Sequence, residues 1–356
     1  MIFYIFLALF IWFVCKRIKT SNKNKERFLQ ALFGGLVCIF LSSCRSINTG
    51  SDSLAYYNTF QRVLTLNWHN LFVAHLDMEN GFRVFLKIIS YVSSSYHWLF
   101  FCTSLVSLIP VMIYLYYYSP NIGMGWAIYI LSNGFIFEMC TIRQAMAIGI
   151  CVLNLMYILR NKKSNKSFFI SVILVFLCML IHRSSIVFLP LIFVARFVKK
   201  NDIIIYFIII FGITVLTLSL PYIVDALYNL GILGIKYYQQ ASEGHGIARI
   251  IMPLTILALF FFVRKRMYKI DDNTTVWEMS IIFSFIISVS SFWVFIFSRT
   301  NLYYQLLYIS IIPKIIDASF YYHNKRIIGI FTMMLFVLYF IASYDANNYY
   351  DYIFWN

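Results

Sequence analysis

The chain carries apolar runs of up to about 20 residues along most of its length, and this feature limits its fold more than any other. A helix of that length crosses the hydrocarbon core of a bilayer with every backbone polar group bonded within its own segment. Strands of a transmembrane barrel would instead alternate polar and apolar residues over about 10 positions. Hydrophobic residues make up 61% of the chain and charged ones only 12%, which excludes a soluble or a disordered protein. The sequence therefore predicts an all-α, polytopic integral membrane helix bundle.

We expect about twelve transmembrane helices, within a range of about 10 to 13, because several apolar segments are short. Residues 1–356 would form a single transmembrane domain. Two longer segments lie outside the spans: 45–96, which we expect to hold amphipathic helices, and 222–247, a second loop on the same side. The predicted spans are 2–15, 29–44, 97–117, 124–139, 142–159, 167–181, 185–197, 203–221, 248–263, 277–297, 301–313 and 327–343.

Basic residues concentrate in alternate loops of this map. The chain has a net charge of +15, from 29 Lys and Arg against 14 Asp and Glu. Since basic loops stay in the cytoplasm, the loops that hold 20 of the 29 should be cytoplasmic, and both termini should lie outside. This pattern accounts for the charge without a nucleic-acid partner. The five basic loops are 16–27, 160–166, 196–202, 264–275 and 314–326.

The basic residues that fall on the outer side are mostly Arg, whereas the cytoplasmic set is mostly Lys. Arg grips phosphate and carboxylate through two parallel hydrogen bonds. A single Arg at a helix end is most simply explained by snorkelling to lipid head groups. Several at recurring outer helix ends instead favour a shared anionic site. The four that lie at such ends are Arg45, Arg143, Arg183 and Arg299.

Three outer residues could accept or donate a proton. Asp52 ends a Thr-Gly-Ser-Asp turn before an expected helix, so its alternative role is a helix cap. Glu79 precedes a short amphipathic run, and there it could simply be an acidic residue of a first turn. His182 lies beside Arg183 between two predicted spans, where a purely structural histidine is the alternative.

Short polar turns each bring one Arg to the outer face. In the turn at 141–144, Arg143 and Gln144 could together donate several hydrogen bonds to one oxyanion, and Glu138 lies five residues before Arg143. The turns at 181–185 and 297–301 have the same character. Most outer Tyr and Trp residues are typical of an interfacial belt, although a few could stack on sugar rings. No Cys or His spacing typical of a metal site is present in the sequence.

An ordered set of short motifs resembles the EpsG family of polysaccharide polymerases. The first signature has Ser51 where the family usually has Thr, which keeps the hydroxyl. The resemblance extends over about residues 1–310. In chain order the motifs are Arg45-x4-Gly50-Ser51-Asp52-x3-Tyr56-x3-Phe60, Glu79-x-Gly81-Phe82, Arg143-Gln144, His182-x-Ser184-Ser185 and Ser298-Arg299-x3-Tyr303.

This family is similar in role to Wzy-type O-antigen polymerases. The resemblance implies an enzyme of the bacterial inner membrane that joins undecaprenyl-diphosphate-linked oligosaccharide repeat units on the periplasmic face. The product would be O-antigen or exopolysaccharide. Donor and acceptor glycans and membrane lipids would be its partners, a chain-length regulator is a further candidate, and neither a cofactor nor nucleic acid is expected.

The residues themselves are compatible with this chemistry. Arg side chains could neutralise a diphosphate leaving group without a metal, and a carboxylate or His would accept the attacking hydroxyl proton. Our order for that base is Asp52, then Glu79, then His182. A lipid-linked oligosaccharide flippase and another membrane transferase remain alternatives, although the apolar centres of most spans favour the polymerase over a transporter. The predicted substrate-binding residues are Arg45, Tyr56, Arg143, Gln144, Arg183, Arg299 and Tyr303.

Overall fold

The computed structural model describes residues 1–162, 164–198, 203–229, 248–291, 296–319, 322–344 and 351–354. These residues are almost entirely helical, and the described part of the chain contains no strand beyond one isolated bridge between Arg45 and Phe354. The all-α prediction is therefore confirmed.

The first half of the chain contains three short helices between long ones. In chain order these helices are α1 (Ile2–Arg17), α2 (Lys23–Cys44), α3 (Ser53–Thr65), α4 (Trp68–Val73), α5 (Asn80–Ser90), α6 (Tyr96–Tyr118), α7 (Ile122–Leu131), α8 (Gly134–Cys140) and α9 (Ile142–Arg160).

The second half begins with α10 and a 3-10 helix, Arg183–Phe188, that leads directly into α11. The helices are α10 (Asn165–Met179), α11 (Leu189–Phe197), α12 (Ile203–Asn229), α13 (Ala248–Ile270), α14 (Thr274–Ser290), α15 (Ile296–Thr300), α16 (Leu302–Gln305), α17 (Tyr308–Ala318) and α18 (Tyr322–Ser343).

By length and hydropathy, 3 helices of the described chain are long and apolar enough to cross a membrane, namely α2, α6 and α9. The α7–α8 pair is a fourth candidate if it counts as one span, although it is bent by 57°. Apolar helices such as α10 and α14 are shorter. The count of about twelve spans thus remains a prediction.

Polar caps explain why several of these helices begin where they do. The side chain of Asn22 accepts hydrogen bonds from the backbone at the start of α2, Ser95 does so for α6, and Asn121 and Ser164 do so for α7 and α10. Each cap satisfies backbone N–H groups that have no partner within the helix. The polar turn residues between apolar runs therefore fix the helix ends.

Two of the predicted boundaries that differ from the structure belong to α12 and α14. The span predicted to end at residue 221 continues to Asn229, while the rest of the predicted loop 222–247 lies outside the described residues. The span predicted over 277–297 ends at Ser290 instead. The Ser290 and Ser291 hydroxyls there donate to backbone carbonyls, and such bonds compete with a continuing helix.

The five basic loops meet on one face of the bundle. Residues from three of them, Arg27, Asp271 and Lys314, line a single surface cleft. Contacts join the remaining two loops to this group. They are Lys162 Nζ to the Asp272 carbonyl at 3.3 Å and Arg196 Nη2 to Asn165 Oδ1 at 2.6 Å. The structure thus brings together the loops that the charge pattern assigned to one side.

Both chain ends lie together on the opposite face. The Met1 amino group is 3.5 Å from the Asp351 carboxylate, and the Ser46 backbone donates to the Ile353 carbonyl at 2.9 Å. The termini are therefore beside the start of segment 45–96. Which side of the membrane this face occupies remains a prediction.

Segment 45–96 contains α3, α4 and α5, which pack on the bundle through a second apolar core. Tyr56, Phe60 and Val63 are buried on one face of α3, at the spacing that places side chains on one helical stripe. They pack with residues of α5 and with Ile142 and Met146 of α9. This cap fixes α3 and α5 directly above the start of α9.

Candidate functional site

Glu79 is the centre of an ionic cluster built from three separate parts of the chain. It is the residue before α5, and its side chain is 12% exposed. Its Oε2 forms an ion pair with Arg143 Nη1 at the start of α9, and its Oε1 lies 3.5 Å from His182 Nδ1. The backbone N–H of Arg183 also donates to Oε1 at 3.3 Å. Motifs that are about a hundred residues apart in sequence therefore share one carboxylate.

Backbone contact positions Glu79 against the end of α10. The Gly81 N–H donates to the Leu180 carbonyl at 2.8 Å, two residues before His182. A Cβ atom at Gly81 would lie 2.7 Å from that same oxygen, closer than real side chains approach. The glycine of this motif thus allows the close approach that brings Glu79 to His182.

The electrostatics of the cluster keep Glu79 ionised. Partial burial alone would raise the pKa of its carboxyl, but the neighbouring His182 and the charge of Arg143 outweigh burial. The net effect lowers this pKa from an ordinary 4.5 to about 2. A carboxylate of such low basicity is a weak proton acceptor near neutral pH, so Glu79 is better suited to orienting its partners than to acting as the base.

Aromatic groups support Arg143 from the other side. Its guanidinium lies 5.6 Å from the centre of the Tyr56 ring, a distance typical of a cation–π contact. Tyr56 in turn packs edge-on against Phe82, with ring centres 6.0 Å apart. Burial raises the pKa of the Tyr56 phenol, so it stays protonated and can act as a donor.

The segment around Arg299 adjoins the same place. Gln144 donates from Nε2 to the Arg299 carbonyl at 2.6 Å, and Ser184 donates to the Tyr303 hydroxyl at 3.2 Å. The Arg299 side chain is exposed, and so is that of Arg183. Two arginine side chains are therefore exposed beside Arg143, which is itself held by Glu79 and Tyr56. A ligand with several anionic oxygens requires such a set of donors.

Asp52 occupies a different position from the three groups around Glu79. It is the residue before α3, and its side chain makes no capping hydrogen bond to that helix. Its carboxylate acts electrostatically on Tyr56, which lies one turn further on. The preceding turn includes Gly50, whose φ of +93° favours glycine. Asp52 thus adjoins the cluster through Tyr56.

Arg45 does not join the cluster. It is fully buried, and it donates to the Ser42 hydroxyl at 2.6 Å and to the Met139 carbonyl at 3.0 Å. Its guanidinium stacks 3.7 Å from the centre of the Phe100 ring. The side chain folds back onto the end of α2, because carbonyls at a helix C-terminus are good acceptors for a cation. The structure therefore places Arg45 among the groups that hold helices together.

Sequence reasoning gave too little weight to Glu138. This carboxylate is 1% exposed and lies in α8, within an otherwise apolar stretch. An ionisable residue inside a membrane segment is a functional candidate by default, and that signal was visible in the sequence. Among the described residues, no group of three or more His, Cys, Asp or Glu side chains is arranged to hold a metal ion.

The fold and the cluster define a helical membrane protein with a polar, arginine-rich site at the face that holds both termini. The family model described as the EpsG family matches residues 28–354, nearly the whole chain. The chain belongs to the EpsG family, as its motifs predicted. Comparison with the curated proteins and with the solved structures gives no match.

Proposed function

We propose that this protein is a polysaccharide polymerase that joins undecaprenyl-diphosphate-linked repeat units on the periplasmic face of the bacterial inner membrane. Membership of the EpsG family suggests a polysaccharide polymerase. The observation that carries the proposal is the convergence of Arg143, His182 and Arg183 on the Glu79 carboxylate. These groups supply both requirements of glycosyl transfer from a lipid diphosphate: cations for the leaving group and an acceptor for a proton.

In the proposed reaction, a hydroxyl of the acceptor unit attacks the anomeric carbon of the donor glycan. The bond from that carbon to the diphosphate oxygen breaks, a glycosidic bond forms, and lipid diphosphate leaves with the bonding electrons. Arg183 and Arg299 contact the diphosphate oxygens, while Arg143 is held in place by Glu79 and Tyr56. Their charges stabilise the negative charge that develops on the leaving group.

His182 is our first candidate for the group that accepts the hydroxyl proton. Its Nδ1 faces the Glu79 carboxylate, which favours the tautomer with the proton on Nδ1 and leaves Nε2 as the acceptor. The proton of the attacking hydroxyl then goes to Nε2. Asp52 is the second candidate, and Glu79 is the third because of its low pKa.

A deletion strain complemented with variants tests this function. Loss of a polymerase should leave single repeat units on the cell surface, because assembly and export of the unit are intact. We expect His182→Gln to reproduce this phenotype at normal protein abundance, while Asp52→Asn retains long chains. Long chains in the His182→Gln strain and single units in the Asp52→Asn strain would reverse the assignment of the base.

A lipid-linked oligosaccharide flippase is the second candidate. The bent α7–α8 pair with the buried Glu138 favours it, because transporters place binding sites at interrupted helices. The same deletion strain distinguishes the two. If the protein is a flippase, the surface will lack repeat units altogether, since none is exported.

A further inference from the structure

The bend between α7 and α8 lines a small, partly open cavity. Asn133 at the bend has a φ of +65°, which turns the chain sharply between the two helices. Tyr129, Ser132 and Glu138 from the two sides of this bend line the cavity, together with Ser107 of α6. It offers about 40 Å³ to water-sized groups, which is room for about three of them. One edge of a sugar ring, with two or three hydroxyl groups, fits this space.

Glu138, a residue of this cavity wall, carries a buried carboxylate oxygen that lacks a donor in the described part of the chain. Its Oε1 accepts hydrogen bonds from the Ser42 hydroxyl at 3.3 Å and the Ser107 hydroxyl at 3.1 Å. Its Oε2 is buried and has no hydrogen-bond partner among the residues that the structure describes. A buried carboxylate oxygen without a donor is costly, so a bound group that donates a hydrogen bond would be stabilised there.

Two further hydroxyls of the wall can act as acceptors. The Ser132 hydroxyl donates to the Tyr129 carbonyl at 3.4 Å, and the Thr141 hydroxyl donates to the Phe137 carbonyl at 2.8 Å. The hydrogen atoms of these two hydroxyls are already used in hydrogen bonds, but the oxygen lone pairs can still accept from a ligand. Since Tyr129 and Gln305 of the same wall also carry donors, the complementary ligand both donates and accepts hydrogen bonds, as a polyhydroxyl compound does.

Charge balance favours a neutral ligand over a cation. The Arg45 guanidinium reaches Glu138 through Ser42, donating to its hydroxyl at 2.6 Å. The buried negative charge thus already has a buried positive counterpart. A bound cation would leave a net positive charge in largely apolar surroundings, which is expensive. A neutral sugar adds no charge.

The cavity and the ionic cluster are built from adjacent residues of two segments of the chain. Thr141 and Gln305 line the cavity, and each lies two residues along the chain from a residue of the cluster, Arg143 and Tyr303 respectively. We propose that the cavity binds the hydroxyl-bearing edge of the acceptor sugar, with the Glu138 carboxylate accepting from one of its hydroxyls. This inference rests on the proposed polymerase function and assigns an acceptor subsite to it.

The test separates the two substrates in a purified, membrane-reconstituted enzyme. One lipid-linked unit has its terminal attacking hydroxyl replaced by hydrogen, so that it can only donate. A second unit carries a monophosphate in place of the diphosphate, so that it can only accept. The rate at which the enzyme joins these two units is measured while the concentration of one is varied. This gives a separate KM for the donor and for the acceptor.

We expect Glu138→Gln to raise the acceptor KM by about 10-fold or more, as loss of a hydrogen bond to a charged group would, and to leave the donor KM within about twofold. Ala145 also lines the cavity, and Ala145→Leu should fill it and act in the same direction. Should Glu138→Gln fail to fold, Ala145→Leu still tests the proposal. Glu278→Gln is the matched control, because Glu278 is a buried glutamate paired with Arg264 in another part of the bundle.

Several results would overturn the inference while leaving the polymerase intact. One is an acceptor KM that is unchanged in both cavity variants. Another is an increase in KM that is equal for donor and acceptor. An activity that depends on Na⁺ or K⁺ in the wild type and loses that dependence in Glu138→Gln would identify a cation site instead. If the wild-type protein joins no units at all, the proposed function itself fails.

Discussion

Glu79 holds three groups at once: the Arg143 guanidinium, the His182 ring and the Arg183 backbone. A carboxylate has enough lone pairs for all of them, and each contact favours its ionised form. This explains why its pKa falls although the side chain is largely buried. The residue therefore connects three motifs that would otherwise be independent.

The first prediction concerns the pH dependence of this carboxylate. Glu79→Gln leaves Arg143 without its anionic partner, and we expect it to destabilise the protein by on the order of 1–3 kcal/mol. The pKa of Glu79 is about 2 in the folded state and 4.5 ordinarily. The extra stability of the wild type is therefore fully present above pH 4.5 and is lost as the pH falls towards 2. The gap in Tm between the two proteins should persist from about pH 8 down to about pH 5 and should shrink below about pH 4.5.

Thermal unfolding of detergent-purified protein measures this gap. Asp77→Asn removes an exposed carboxylate of the same segment and is the control; it should leave the Tm near that of the wild type. A gap between wild type and Glu79→Gln that has vanished by pH 5 would show that Glu79 titrates at a higher pH than its contacts imply.

The second prediction separates specific phosphate binding from general attraction. Arg→Lys at 143, 183 or 299 keeps the charge but removes the planar pair of donors. Loss of one bidentate contact costs about 1.5–3 kcal/mol, which corresponds to about 10- to 150-fold in turnover. Chains should shorten or vanish at normal protein abundance.

Arg62→Lys provides the control for these variants, since Arg62 is an exposed arginine of α3 in the same cap. It should retain wild-type chain lengths, because a snorkelling side chain needs only a charged tip. Wild-type chains in all three site variants would return those residues to contacts with lipid head groups.

The sequence identified most members of the cluster but not their arrangement. Polar residues in short outer turns predicted Arg143, His182 and Arg183, because a turn between two apolar helices must lie at the membrane surface. Arg45 satisfied the same criterion and yet is buried. A position at a helix end does not reveal whether a long side chain points outward or folds back onto carbonyls of its own helix, as Arg45 does on Ser42.

At the scale of elements, the approach of α5 to the end of α10 sets the distance between Glu79 and His182. Two backbone donors, Gly81 and Phe82, converge on the Leu180 carbonyl. The absence of a side chain at Gly81 allows this approach. Periodicity predicted a short amphipathic helix here, but the packing of one helix end on another depends on tertiary contacts that a sequence pattern does not contain.

The third prediction follows from that approach. In Gly81→Ala the new Cβ must move at least a few tenths of an ångström away from the Leu180 carbonyl, which displaces Glu79 from His182. Misplacement of catalytic groups by about 1 Å can cost about 100-fold in rate, so we expect turnover to fall by about 10- to 100-fold. Rates of unit joining by the reconstituted protein measure this effect.

Asn80→Ala is the matched control for Gly81→Ala, because Asn80 is the exposed neighbouring residue of the same first turn. It should leave the rate within about twofold, as surface substitutions usually do. Equal losses in both variants would indicate that the first turn of α5 tolerates no change, and the argument from the Leu180 contact would fail.

At the scale of the whole molecule, two sets of contacts divide the chain between two faces. The basic loops meet on one face, and the ionic cluster lies with both termini on the other. The order of the apolar runs was readable from the sequence because hydropathy and loop charge are local properties. Which runs pack together, and where α7 bends into α8, depends on contacts far apart in the chain.

The last prediction concerns which side of the membrane each face occupies in the cell. Since basic loops are retained in the cytoplasm, Lys162→Cys and Arg266→Cys should react with a membrane-impermeant maleimide only after permeabilisation. Asn48→Cys, an exposed position on the cluster face, should react in intact cells. The wild-type chain, with its 7 native Cys, sets the background.

If position 162 is labelled in intact cells, the cluster faces the cytoplasm, where nucleotide-activated sugars rather than flipped lipid-linked units are the available donors. The proposed reaction would then have no substrate at the site, whatever the residue variants show.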